Sequence, residues 1–218
     1  MLGPNTAGRT APDPAGQVTK SQLRTSARER RVARDQTGRD EAAQQLTRRV
    51  LDLASGRVPR GSVIACYLSR PDEPDTHYLV RALLEAGYRV LAPSMHGGPA
   101  AEDIGWAWLA DPTEVTAGVL GIERPVGETL PAPALAEAAV VILPGLAGGR
   151  DGSRLGMGAG WYDRALEHVK SGTLLWLLLF DDEIVDSLPQ ETHDHPVGVI
   201  ITPRRTIVTA DNGQRPSR

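Results

Sequence analysis

Residues 140–163 read VVILPGLAGGRDGSRLGMGAGWYD. Val140, Val141, Ile142 and Leu143 form an unbroken apolar run that stops at Pro144-Gly145. A short apolar run closed by such breakers reads as a strand buried on both faces. A glycine-rich passage follows, and helical sequence resumes at Trp161-Tyr162-Asp163. Strand, loop and helix in that order make one unit of an α/β fold.

The same alternation extends in both directions. Strands are expected at 62–68, 88–92, 104–109, 174–180 and 197–201, with an edge strand at 207–209. Trp106 and Trp108 alternate, which gives the 104–109 strand one aromatic face. Helices are expected at 75–86, where Gly87 ends the run, and at 161–170. A short helix is expected at 183–188, and a short helix or turn at 111–114. Upstream, 19–55 is rich in Arg, Ala, Glu, Gln and Leu and reads as two helices broken near Thr37-Gly38. Leu46, Val50 and Leu53 recur at helical spacing and give the second of these an apolar stripe. Continuous apolar strands separated by helices imply an α/β fold, a mostly parallel sheet with helices on both faces. Such sheets bind ligands beyond the carboxyl ends of their strands, here 69–76, 93–96, 144–163 and Thr202.

Composition narrows the class. The chain has 218 residues, 40% hydrophobic and 23% charged, which suits one packed domain at 19–209. Segments 1–18 and 210–218 read as disordered tails. The net charge of -3 provides no general attraction to nucleic acid or to an anionic membrane. Cys66 is the one cysteine, so no intrachain disulfide forms, and its apolar neighbours read it as a buried hydrophobe. The first residues lack the apolar stretch of a secretory signal, and 174–180 is too short to cross a bilayer. A soluble, cytoplasmic protein is expected.

Four features carry candidate chemistry. Gly156, Gly158 and Gly160 alternate, which lets the backbone approach a ligand closely. Arg154 precedes them and offers two donors to an anion, and Asp163 is placed to hold a cation beside phosphates. The spacing is that of neither a P-loop nor a dinucleotide fingerprint, so a phosphate cradle and a structural turn both fit. Lys20 and Arg24 share one helical face, either to grip an anion or as part of a solvated basic face. The solvated reading also covers Arg28, Arg30, Arg31 and Arg34. Leu68-Ser69-Arg70-Pro71-Asp72-Glu73-Pro74-Asp75-Thr76 places carboxylates at a strand end. Asp75 suits a helix cap, and Glu73 suits a paired N–H edge such as that of a pterin. His193 and His195 face one side of an extended chain without an evident third metal ligand, which favours a loop. Trp161 and Tyr162 are candidates either to stack on a flat ring or to join the core.

Together these residues resemble a known pattern. Pro144-Gly145-Leu146, Arg150, Gly152 and Arg154-Leu155-Gly156-x-Gly158-x-Gly160-Trp161-Tyr162-Asp163 are similar to the signature of the 5-formyltetrahydrofolate cyclo-ligase family. Lys20-x-x-Leu23-Arg24 resembles its N-terminal motif, and Leu68-Ser69 with Asp72-Glu73 and Thr76 its folate loop. Pro93 and His193-Asp194 match further positions. The resemblance implies a NagB/RpiA/CoA-transferase-like fold and an ATP-dependent ligase. Its product is 5,10-methenyltetrahydrofolate, its co-substrate ATP and its cofactor Mg²⁺. It implies Arg154 and Glu73 as catalytic residues. ATP would be bound by Lys20, Arg24, Arg154, Leu155, Gly156, Met157, Gly158, Ala159, Gly160, Trp161 and Tyr162. The folate would meet Leu68, Glu73 and residues 157–161, and Asp163 would bind the metal. Small-molecule substrates are the expected partners, with the chain a monomer or homodimer.

The sequence departs from the pattern at Gly148-Gly149, where the family usually has Phe-Asp, so a carboxylate near metal and nucleotide is absent. Met157 and Ala159 stand where some members are basic, and Gly198 where some are acidic. A non-catalytic folate- and nucleotide-binding relative, or a sugar-phosphate enzyme on the same fold, would account for part of these features.

Overall fold

A computed structural model describes residues 19–96, 104–190 and 194–209. The expected tails at 1–18 and 210–218 therefore lie outside the described residues, as does His193.

The chain opens with α1 (Lys20–Val32) and α2 (Gln36–Arg57). Thr19 caps α1 by a reciprocal exchange with Gln22, the hydroxyl accepting one amide and the Gln carbonyl the other. The break between the helices falls at residues 33–35, not at Thr37-Gly38. Asp35 caps α2 by accepting the Gly38 amide at 2.7 Å, so Gly38 belongs to the first helical turn. There follow β1 (Val63–Cys66), α3 (His77–Glu85), β2 (Arg89–Pro93) and β3 (Gly105–Leu109). A hairpin of β4 (Val115–Ala117) and β5 (Glu123–Pro125) precedes β6 (Leu130–Pro131) and β7 (Ala138–Pro144). The glycine-rich passage holds β8 (Ala147–Gly149) and β9 (Arg154–Leu155). The chain ends with α4 (Trp161–Ala165), β10 (Leu174–Leu178), β11 (Ile184–Val185), β12 (Val199–Ile201) and β13 (Thr206–Val208).

The eight-stranded sheet has the order β13-β12-β10-β7-β1-β2-β3-β6. Strands β12, β10, β7, β1 and β2 are parallel. Antiparallel partners close both edges, β13 on β12 and β3 with β6 beyond β2. The mostly parallel α/β sheet is thus the one expected. Its central strands are unbroken apolar runs because both faces are covered. Ile64, Cys66, Val140, Ile142, Trp176 and Leu178 pack toward Leu46 and Val50 of α2 and Leu79 and Leu83 of α3. Their neighbours Ala65, Val141, Leu143 and Leu177 pack with Trp106, Leu135, Trp161 and Leu166 on the opposite face. Cys66 is fully buried, and burial pushes its thiol pKa up, as expected of a packing residue.

Other expectations are corrected. Residues 181–183 form a 3-10 turn followed by β11, not a helix at 183–188. Of the two alternatives expected at 111–114, the turn is the one formed, with Asp111 accepting the Thr113 amide at 2.8 Å. The helix expected at 161–170 is only α4 continued as a 3-10 turn over Leu166–His168.

Candidate functional site

A cavity of about 420 Å³ opens at the carboxyl ends of the parallel strands. Its walls come from α1, the loop after β1, the end of β2, and residues 154–163. Three of the four strand ends singled out from sequence therefore meet there. Thr202 does not; it is buried and donates to Asp181 at 2.6 Å.

A small apolar cluster docks α1 against the glycine-rich passage. Ala27 packs with Leu146, Ala147, Leu155 and Leu188, and Leu23 lies against them. That docking turns Lys20, Arg24 and Arg28 into the cavity on successive helical turns. Arg24 Nε donates to Gly156 O at 3.0 Å and Arg28 Nη2 to Met157 O at 3.3 Å. Lys20 is ion-paired with Asp194 at 3.4 Å. Arg28 is exposed, as a solvated face requires, yet its guanidinium also borders the cavity. Arg31 departs further from that reading: it is fully buried, bonded through Nε and Nη2 to Glu183 and through Nη2 to Gly145 O. Arg30 and Arg34 pair with Asp182 on the surface.

Loop 156–160 takes its shape from glycine. Gly158 has φ +103° and Gly160 φ +67°, the left-handed region that a Cβ disfavours. A Cβ at Gly158 would also touch the Arg24 guanidinium at 3.4 Å. Gly156, Met157, Gly158, Ala159, Gly160, Trp161, Tyr162 and Leu155 all line the cavity. Arg154 is nearly buried and ion-paired with Asp163, whose side chain is a quarter exposed. Arg154 Nε is buried and finds no acceptor among the described residues. With α4 so short, anion binding rests on these cations and the loop amides rather than on a helix dipole. Trp161 and Tyr162 contribute to the core as well as the cavity. The Trp161 ring lies 5.3 Å from that of Trp106 and 4.8 Å from that of Tyr162.

Glu73 forms the opposite wall. It is 8% exposed, and Oε2 accepts the Arg70 amide at 3.0 Å. Burial raises its pKa, partly offset by that amide and by the Arg70 charge. Arg70 also lines the cavity. Leu68 does not reach it; its side chain is buried in the core beneath α2 and α3. Thr76, not Asp75, occupies the N-cap position of α3; Asp75, one residue earlier, accepts the His77 amide at 2.8 Å. His77 Nδ1 lies 2.7 Å from Asp75 Oδ1, and Nε2 lies 2.8 Å from Glu123 Oε2 of β5. The Asp75 bond, with help from Glu123, raises the His77 pKa to about 9. This bridge ties the Glu73 loop to the hairpin whose Ile122 borders the cavity.

Sequence reasoning missed Arg28, Arg70, Met95, Ile122 and Asp194 as wall residues. A cation four residues beyond Arg24 on the same helical face was the available signal for Arg28. Gly148 and Gly149 lie in β8 and do not line the cavity. A Cβ on Gly148 would press Leu177 and Leu179 at 2.8 and 2.9 Å, and one on Gly149 would strike Asp151 and Ser153 at 2.2 Å. Their missing side chains therefore remove no group from the cavity.

Among the described residues no three His, Cys, Asp or Glu side chains cluster as a metal site. Asp163 is a single carboxylate facing a cavity suited to phosphates. That donor set fits Mg²⁺, which takes one or two carboxylates and completes its shell with phosphate oxygens and water. No helix among the described residues is long and apolar enough to cross a membrane.

The model of the 5-formyltetrahydrofolate cyclo-ligase family matches residues 16–203. A 5-formyltetrahydrofolate cyclo-ligase from Mycolicibacterium smegmatis is 35% identical over 191 residues, covering 87% of this chain and 96% of its own. One from Escherichia coli K12 is 32% identical over 184 residues, covering 82% and 97%. In three dimensions the chain resembles the 5,10-methenyltetrahydrofolate synthetase of Aquifex aeolicus, with a TM-score of 0.73, 24% identity and coverage of 91% and 96%. The corresponding figures for the enzyme of Mycoplasma pneumoniae are 0.66, 17%, 85% and 99%.

Proposed function

Because this chain belongs to the 5-formyltetrahydrofolate cyclo-ligase family, we propose that it closes 5-formyltetrahydrofolate to 5,10-methenyltetrahydrofolate at the expense of ATP. It is a ligase of folate metabolism, and its substrates are small molecules. One observation carries the reading to the residues. A single cavity joins a buried carboxylate, Glu73, to a glycine loop flanked by Arg154, Lys20 and Arg24. One wall suits the N–H edge of a pterin and the other a polyphosphate.

The proposed chemistry has two steps. The formyl oxygen attacks the γ-phosphorus; an O–P bond forms as the bond to the β,γ-bridging oxygen breaks, and ADP leaves with that electron pair. N10 then attacks the activated carbon and loses its proton. The C–O bond breaks, phosphate departs with the electron pair, and the methenyl bridge remains. Glu73 accepts the pterin N–H groups and fixes the formyl oxygen in line. Lys20, Arg24 and Arg154 hold the phosphates, and the loop at 156–160 admits both substrates closely. Tyr162 and Trp161 wall the cavity against water. Asp163 would hold Mg²⁺, which supplies charge neutralisation on the phosphates. Most of the rate enhancement on this account comes from positioning and charge stabilisation. A cytoplasmic location, a monomer or homodimer, and the lack of nucleic-acid or membrane partners complete the proposal.

The deciding experiment follows methenyltetrahydrofolate by its near-ultraviolet absorbance, with purified protein, 5-formyltetrahydrofolate and Mg²⁺, with and without ATP. An ATP-dependent rise is expected. Folate binding without any ATP-dependent rise would overturn the catalytic reading.

A further inference from the structure

We infer that Arg70 is a further catalytic residue, whose guanidinium stabilises the phosphoryl group in transit from ATP to the formyl oxygen. The inference rests on the proposed function.

Position is the first ground. Arg70 Nη2 lies 3.8 Å from Glu73 Oε1 and 3.6 Å from Met157 Sδ. One guanidinium thus touches the carboxylate assigned to the pterin and the loop assigned to the phosphates. In a reduced pterin, the N–H edge that pairs with a carboxylate adjoins the 4-oxo group, and the N5 formyl group comes next along that side. A cation that neighbours Glu73 and also reaches the phosphate loop stands where formyl oxygen and γ-phosphate meet.

Available bonding capacity is the second. The cavity-side donor of Arg70 meets a thioether, a weak acceptor. Its nearest carboxylate contacts, Asp72 and Glu73, are at 3.7 and 3.8 Å, beyond hydrogen-bond length. The guanidinium is held near the reacting centre without a strong partner.

Charge supply is the third. Loop 156–160 carries no charged side chain of its own. Arg154 is paired with Asp163, Lys20 with Asp194, and Arg24 Nε is bonded to the loop carbonyl of Gly156. At the Met157 end of the loop, cationic charge comes from Arg70 and from Arg28 across it. As the O–P bond forms and the bond to ADP breaks, charge spreads over the equatorial oxygens, and a planar two-pronged donor fits them. Arg70 makes this contact in the transition state and contributes little to ground-state binding of either substrate.

The test compares steady-state kinetics of wild type, Arg70→Gln and Arg70→Lys with both substrates varied. The Arg70 backbone amide that Glu73 accepts survives both substitutions. Arg70→Gln is expected to lower kcat about 10²–10³-fold, the usual loss for one transition-state donor. Both KM values should stay within about threefold, the pattern of an interaction made only in the transition state. Arg70→Lys should recover part of the loss, because it keeps the charge without the fork. A wild-type kcat in Arg70→Gln, or a rise confined to the folate KM, overturns the assignment while leaving the proposed function standing. A wild-type protein with no ATP-dependent turnover defeats the proposed function, and the Arg70 role with it.

Discussion

The buried ion pair between Arg31 and Glu183 sets the position of α1, and its removal has a distinctive signature. Neither side chain has any solvent exposure. Arg31 Nε and Nη2 reach the two carboxylate oxygens at 2.7 and 2.9 Å, and Nη2 also donates to Gly145 O. Glu183 accepts the Phe180 amide at 3.0 Å as well. Removing one partner strands a charge in the interior, which costs about 3–5 kcal/mol. Arg31→Met and Glu183→Leu should each lose that much. At about 2–4 °C per kcal/mol for a domain of this size, each variant should melt roughly 10 °C lower. The double variant strands no charge. It still deprives the Phe180 amide of its acceptor, at about 1–3 kcal/mol, and so should be more stable than either single variant. Thermal and urea melts followed by circular dichroism read these differences. The ATP KM separates stability from function: the double variant regains stability but not the tether to Gly145, so its ATP KM should stay raised. Single variants that melt within about 2 °C of wild type, or a double variant that is merely additive, would refute the reasoning.

Further outcomes are expected. Arg154→Ala and Asp163→Ala should each lower turnover about 10²-fold or more, measured by the absorbance assay, because each removes charge from the phosphate end of the cavity. Glu73→Gln should raise the folate KM about tenfold or more, since it puts an amide donor where the pterin edge needs an acceptor. In wild type, burial raises the Glu73 pKa, so folate affinity should fall on mild acidification before an exposed carboxylate would titrate, readable as KM against pH. His77 gives the opposite pH sign. Its folded pKa of about 9 lies above the ordinary histidine value, so its contribution is complete below that ordinary value and lost as pH rises through 9. Wild type should exceed His77→Gln by on the order of 1 kcal/mol at pH 6, discounted for the half-exposed bridge, and converge with it by pH 10. Equal stability of the two at pH 6 would show that the bridge contributes nothing.

The central strands were legible because burial on both faces leaves no polar alternation, and 62–68, 140–143 and 174–180 are nearly pure apolar runs. Short elements were not. The pairs β4–β5 and β8–β9, with β11, have two or three residues each and take their stability from neighbours rather than from any periodic pattern. The break between α1 and α2 was misplaced because Gly38 looked like a stop. The Asp35 side chain, three residues away, makes it part of a helix start.

At the candidate site, the sequence by itself singled out the glycine loop, the Lys20–Arg24 pair, Arg154, Asp163 and Glu73, and the structure gathers them around one cavity. Spacing and residue type report directly on backbone freedom and on local faces. Only the tertiary structure decided which arginines of one helix serve which purpose. Arg24 and Arg28 enter the cavity, Arg31 is buried against Glu183, and Arg30 and Arg34 remain on the surface. It alone also sent Leu68 to the core and brought Arg70 to Met157, which lies 87 positions along the chain. The physical reason is that a residue's local pattern fixes its helical face or strand side. What that face meets is set by long-range packing, here the apolar docking of Ala27 onto Leu146 and Leu155.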